Sequence, residues 1–321
     1  MTEKLKDRID FSGSSVGALG IDLPVERPVG RDDHSLTPPS PSEPGGRWGP
    51  LRNTVAKAVR RPLFMITLAF IVFVGVSAFF PSWFSSYDPY KTAPADRLQS
   101  PSSTHLFGTD EMGRDLWTRT LYGSTLTIQA ALIALSIAIV VGLTLGVVSG
   151  FFAGITDSVI MRCVDVLLAI PGLLLALAIV TALGFGTVPV AIAVGIGIVP
   201  GFARTTRSEV LRVKTLPYIE AARAGGASWS RVLIRHILPN SWGPVAVLAV
   251  LDFGVAIISI AALSFLGFGA APPKAEWGTL VSTGRNFLVT APWVSLMPGL
   301  FIAATVLSLN HIAKTFQELE R

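Results

Sequence analysis

Six apolar runs, at 63–80, 124–152, 158–184, 187–205, 242–268 and 293–313, constrain this chain more than any other feature. Each comes near the ~20 apolar residues that a helix needs to cross a hydrocarbon core of ~30 Å. Lipid offers no water to satisfy backbone N–H and C=O groups, so such runs fold as helices with internal hydrogen bonds. The expected fold class is therefore an all-α membrane protein with six transmembrane helices. Composition agrees, since 15% of the residues are charged against roughly 25% in soluble domains. The runs at 124–152 and 242–268 exceed one crossing and are expected to tilt or to extend beyond the bilayer. The short Gly184-Phe185-Gly186 connection makes the third and fourth spans an antiparallel hairpin. Gly142, Gly146 and Gly150 recur at the spacing that lets helices approach closely, and are read as packing.

Charge sets the expected topology. The segment 203–240 carries seven Lys/Arg against two acids, while 81–123 carries four against five and 269–292 two against one. Residues 47–62 hold Arg47, Arg52, Lys57, Arg60 and Arg61 with no acid, so this juxtamembrane segment and 203–240 share the cytoplasmic face. Both termini are then cytoplasmic, with 314–321 as the C-terminal end, and 81–123 is the extracytoplasmic connection. Because the basic residues flank spans instead of forming one patch, the net charge of +5 gives no reason to expect nucleic acid. Residues 1–46 are rich in Ser, Gly and Pro and lack an apolar period. They are expected to be a disordered cytoplasmic tail and contain no signal peptide.

The polar segment inside the core, YIEAARAGGASWSRVLIRHILPN at 218–240, is the candidate functional element. Small Ala side chains let a helix seat closely in a groove, Gly225 and Gly226 end that helix, and Pro239 is expected to stop the next one before the following span. Asp252 lies deep in the fifth span, where an ionisable group costs roughly 2.5–3.5 kcal/mol. It is either a translocation-pathway residue or half of a structural pair within the bundle or across a dimer. Arg162 and Asp165, three apart on the third span, share a helix face and are expected to pair locally. Between Gly108 and Asp115, the expectation is a self-satisfying turn in which Arg114 pairs with Asp110 or Asp115 and the next helix is capped. Cys163, the only cysteine, sits in an apolar run and is expected to be a buried thiol. No Lys directly follows Gly, so there is no phosphate-binding loop of the Walker A kind. His34, His105, His236 and His311 are scattered, and no metal-ligating or hydrolase motif appears.

Glu220-Ala221-Ala222, Gly226 and Leu238-Pro239 together resemble the "EAA" loop by which membrane subunits of bacterial ABC transporters dock into an ATPase cleft. Further motifs are His105–Arg119 (HLFGTDEMGRDLWTR), Ala262–Gly267 (ALSFLG), Pro272-Pro273, Glu276-Trp277-Gly278, Gly284-Arg285, Ala291-Pro292-Trp293 and Met297-Pro298-Gly299. Over residues 60 to 310 they are similar to the C-type permease subunits of the dipeptide, oligopeptide and nickel importers. Three departures stand out: His236 where the broader EAA pattern has Ile, Ile260 where many relatives carry an acid, and the ending HIAKTFQELER.

The resemblance implies the type I ABC importer permease fold, with a core at 124–313 and a coupling loop at 206–240. It implies transport without enzymatic activity in this chain, because ATP and Mg would be bound by partner ATPases and no cofactor or metal by the chain itself. The implied ATPase-coupling residues are Glu220, Ala221, Ala222, Gly225, Gly226, Leu238 and Pro239, with Asp252 as a pathway candidate. The implied partners are a B-type permease, two ABC ATPases or a fused one, an extracytoplasmic solute-binding protein and lipid of the bacterial cell membrane. Peptides are the expected substrates, with nickel or metal chelates, glutathione and short sugar conjugates as alternatives. A secondary transporter should show charged coupling sites and internal repeats, and an intramembrane enzyme a catalytic pair. Only Asp252 is clearly deep, and no catalytic pair is visible within the spans.

Overall fold

A computed structural model describes residues 61–320. The tail at 1–46 and nearly all of the basic segment at 47–62 lie outside the described residues. The helices are α1 Pro62–Phe79, α2 Leu116–Phe152, α3 Gly154–Ala169, α4 Gly172–Leu183, α5 Thr187–Lys214, α6 Pro217–Ala224, α7 Trp229–Val232, α8 Leu238–Phe265, α9 Trp277–Gly284 and α10 Trp293–Glu320. Among the described residues the only extended pairing is an isolated bridge between Thr109 and Asp115.

Five helical stretches are long and apolar enough to cross a membrane: α1, α2, α5, the run Trp229–Phe265, and α10. The third expected span, 158–184, is not one straight helix. It breaks between α3 and α4 with a bend of 94°. The cause is Pro171, whose ring disfavours helical backbone at the residue before it. Ile170 is accordingly extended, at φ −91° and ψ 128°. Arg61 at the start of α1 nevertheless bonds Glu318 near the end of α10, at 2.8 Å. Both chain ends of the bundle therefore lie on one face, which requires an even number of crossings and makes α3 with α4 the sixth.

The length of α2 follows from its cap. Asp115 accepts from the Thr118 backbone N–H at 2.7 Å and from its hydroxyl at 2.6 Å, so the helix starts at Leu116 instead of 124. Its 37 residues extend about 55 Å at ~1.5 Å per residue. The turn before it closes as expected, with Arg114 Nε 2.7 Å from Asp110. Arg119 also reaches Asp110, at 3.3 Å, and donates to the Pro89 carbonyl at 2.9 Å.

Glycines set the approach of α2 to α5. A Cβ on Gly142 would lie 2.4 Å from Phe202 Cβ, and one on Gly146 2.5 Å from Thr206 Cβ. The packing reading of this stripe holds. The main apolar core gathers α1, α2, α4, α5, α8, α9 and α10. Trp277 is fully buried there, its indole N–H donating to the Thr120 carbonyl at 2.9 Å.

Two expectations for α3 are corrected. Asp165 pairs with Arg204 of α5 at 2.6 Å, not with Arg162. A crossing helix brings a guanidinium closer than the neighbouring turn does. Cys163 is exposed on the chain's surface, not buried. On α3 only Val164 is buried, so the apolar residues on either side of it face outward.

Candidate functional site

At the end of α5 the chain turns at Thr215-Leu216, and Pro217 opens α6 at its first helical position, where no N–H is needed. One residue of α6, Ile219, is buried. It enters an apolar cluster with Val210 and Val213 of α5, Val232 of α7 and Ile237. Glu220, Ala221 and Ala224 are exposed, and Ala222 is half-buried. The helix thus exposes two alanines and Glu220, alongside Tyr218 and Arg223, over a packed platform.

Its C-terminus closes as the two glycines imply. Gly226 takes φ +85°, a conformation that costs an L-residue roughly 1–2 kcal/mol. Its N–H bonds the Arg223 carbonyl at 2.9 Å, and the Ala227 N–H bonds that of Ala222 at 3.1 Å. Nothing lies within 4 Å of where a Gly226 Cβ would stand. The flanking basic side chains Arg212, Arg223, Arg231 and Arg235 are all exposed. Glu209 offsets one of them, bonding Arg212 at 2.8 Å.

Pro239 does not stop a helix. α7 passes through a π-helical turn, Leu233–Ile237, directly into α8, so Trp229–Phe265 runs on as one helical stretch of 37 residues. A proline lacks the N–H for an α-helical bond and crowds the preceding turn, and widening that turn to i→i+5 spacing accommodates it. Leu238 and Pro239 are exposed on this turn. Asn240 ties the turn back to α6, its amide donating to Tyr218 Oη at 3.0 Å and to the His236 carbonyl at 2.7 Å.

Asp252 lies between three and four turns further along α8 and is half-buried. Among the described residues it forms no salt bridge, whereas Asp157, at the start of α3, is gripped bidentately by Arg207 at 2.5 and 2.6 Å. Of the loop residues singled out in the sequence, Glu220, Ala221, Gly225, Gly226, Leu238 and Pro239 are exposed and Ala222 is half-buried, and the Asn240–Tyr218 hydrogen bond joins the start of α8 to α6. Sequence reading gave no weight to Trp229. Its only signal was an aromatic residue set among the basic residues Arg223, Arg231 and Lys214.

Residues 142–319 match the family described as "binding-protein-dependent transport system inner membrane component". The chain belongs to this family. Residues 49–101 also match the N-terminal transmembrane domain of oligopeptide transport permease C. The permease is 40% identical over 274 residues to the dipeptide transport system permease protein DppC of Alkalihalophilus pseudofirmus, covering 85% of this chain and 90% of that one. It is 39% identical to the glutathione transport system permease protein GsiD of Pectobacterium atrosepticum, over 81% of this chain and 87% of that one. Among solved structures, a chain of the MetNI methionine ABC transporter in an inward-facing conformation superposes with a TM-score of 0.52. At 16% identity, over 63% of this permease and 97% of that chain, this likeness is one of fold. The chain is thus a multi-pass membrane permease subunit of a binding-protein-dependent transporter with the expected ABC-importer permease fold.

Proposed function

We propose that this permease forms half of the pathway of an ATP-driven peptide importer and couples to its ATPase through the loop 206–240. The observation that carries the reading is α6: a short helix that exposes Glu220, Ala221 and Ala224 beside Tyr218 and Arg223, is anchored by the buried Ile219 and is closed by Gly226 at φ +85°. A partner groove can accept such a helix closely where the small side chains Ala221 and Ala224 are exposed. ATP and Mg belong to the partner ATPases in this reading. A B-type permease completes the pathway, and an extracytoplasmic binding protein delivers substrate to the opposite face. The basic excess of 203–240 supports placing the loop and both termini in the cytoplasm.

The dipeptide-permease relative supports peptides as substrates. The glutathione-permease relative, nearly as similar, favours glutathione as the second reading. Co-purification from the native membrane tests the assembly: an ABC ATPase and a second permease should accompany this chain. Competition of labelled dipeptide uptake by glutathione separates the two substrate readings. Recovery without any ATPase would overturn the proposal.

A further inference from the structure

Trp229 stands where three helices meet. The Arg223 guanidinium of α6 lies 3.7 Å from the centroid of its ring, and Lys214 Nζ, at the end of α5, lies 5.6 Å away. The same ammonium is 5.6 Å from the Phe151 ring and donates to the Phe151 carbonyl at 2.7 Å. The Phe151 and Trp229 rings meet edge to face, with centroids 5.5 Å apart. Phe151 is the penultimate residue of α2, so its carbonyl has no partner within that helix. A cation there also meets the negative end of the helix dipole.

We infer that Arg223, Trp229 and Lys214 form the joint that carries displacement of α6 into α2. This rests on the reading of α6 as the ATPase-docking helix. Apart from this joint and the Asn240–Tyr218 hydrogen bond, which ties α6 to α8 and not to α2, α6 sits on apolar contacts, which are non-directional and let one helix slide over another. Cation–π contacts and a charge-assisted hydrogen bond to a backbone carbonyl have preferred geometries and resist sliding. From the joint, α2 runs unbroken to its Asp115 cap on the opposite face. There Thr118 meets Ser85, and Arg119 holds the Pro89 carbonyl. A push at Phe151 therefore reaches the 81–123 connection through one rigid element. Arg223, Trp229 and Lys214 are positioning residues, and they act through α6 and α2.

The test uses the complete transporter with its ATPase and binding protein in proteoliposomes. It compares Trp229→Ala and Lys214→Met with the conservative Trp229→Phe and Lys214→Arg. Trp229 is 42% exposed, so truncating it leaves little cavity. In Trp229→Ala and Lys214→Met the ATPase should stay bound and the melting temperature should hold. Substrate moved per ATP hydrolysed should fall about tenfold, the scale set by losing contacts of this kind. Trp229→Phe and Lys214→Arg should recover most of it. Unchanged substrate per ATP in the first pair overturns the joint. So does a fall in melting temperature that accounts for the loss and is not rescued, which is the signature of a mere brace. Loss of the ATPase from Trp229→Ala also overturns the joint, while leaving the docking reading intact. Gly226→Trp, run alongside, tests that docking reading separately: normal uptake would refute it whatever Trp229 does.

Discussion

The hydroxyl of Ser264 donates to Glu276 Oε1 at 2.5 Å, joining the end of α8 to the start of α9. The other carboxylate oxygen accepts the Ala270 backbone N–H at 2.8 Å. Glu276 is wholly buried and lies between the spans, in the 269–292 connection. It holds a turn whose chain direction reverses through Gly267 at φ +98°, and no cation pairs with it among the described residues.

A pH dependence of stability follows. Burial raises the Glu276 carboxyl above its ordinary 4.5, with the Ala270 N–H and the Ser264 hydroxyl partly opposing. The unfolded chain then releases this proton at lower pH than the folded one, so stability falls as pH rises from 4.5 to the raised folded value. Below 4.5 the contribution is complete. Glu276→Gln removes the titration and leaves one buried donor facing an amide NH2, a cost of about 1–3 kcal/mol. Across a pH series of melting curves on the purified complex, wild type should lead the variant most at low pH, with the lead narrowing as pH rises. A lead that does not vary with pH would contradict the assignment.

Helix approach gives a second expectation. A Cβ at Gly142 would stand 3.0 Å from the Val199 carbonyl as well as 2.4 Å from Phe202. Backbone cannot give way as a side chain can, so Gly142→Ala should cost about 1–3 kcal/mol through forced separation of α2 from α5. Gly201→Ala is the control, because nothing lies within 4 Å of its added methyl. It should melt no lower than wild type. Equal melting temperatures for the two variants would remove the stripe's packing role.

Hydropathy made the long helices legible because in lipid length and apolarity alone decide whether a segment spans. The Asp110–Arg114 turn and the close of α6 at Gly226 were legible for a different reason, since both rest on residues adjacent in sequence. Proline was not, and it failed in both directions. Pro171 breaks a helix that hydropathy joins, whereas at Pro239 the chain continues through a widened turn. That turn is held by Val232 and Ile237 inside the cluster with Ile219, a tertiary fact invisible to local rules. Partner choice was equally hidden. Asp165 had Arg162 one turn away, yet the crossing of α5 supplies Arg204. In α3 an apolar residue is equally suited to lipid and to protein, so Cys163 carried no signal about which side it faces. The contacts around Trp229 were hidden because Lys214, Arg223 and Trp229, though close in sequence, sit on the successive helices α5, α6 and α7, and their common neighbour Phe151 of α2 is remote in sequence.

At the coupling loop, size and backbone strain are separable. Gly226→Ala adds only the left-handed backbone penalty, about 1–2 kcal/mol, into open space. Gly226→Trp adds the same penalty plus bulk on the outward surface beside Ala222 and Gly225. With α6 seated in an ATPase groove, the Ala variant should keep most uptake and the Trp variant should lose it, both inserting normally in the membrane. Normal uptake by Gly226→Trp, measured beside its ATPase rate, would refute docking at this surface.

Asp252 separates a pathway role from a structural one. It is half-buried within α8 and forms no salt bridge among the described residues. A carboxylate at that depth is tolerated where it faces a water-filled path or a partner. In the path, it would present a negative charge to the cationic amino end of a passing peptide. Asp252→Asn keeps the shape and removes the charge. The complex should then assemble and melt as wild type does, while uptake of a Lys-containing dipeptide falls about tenfold relative to a neutral one, equivalent to about 1.4 kcal/mol. A structural pair across a permease dimer predicts the reverse order. Removing one partner would strand a buried cation at a cost on the order of 3–5 kcal/mol, so the complex would melt early and lose all substrates in proportion. Melting temperature and charge-resolved uptake on the same preparation decide between them, and an early-melting complex without charge selectivity would rule out the pathway role.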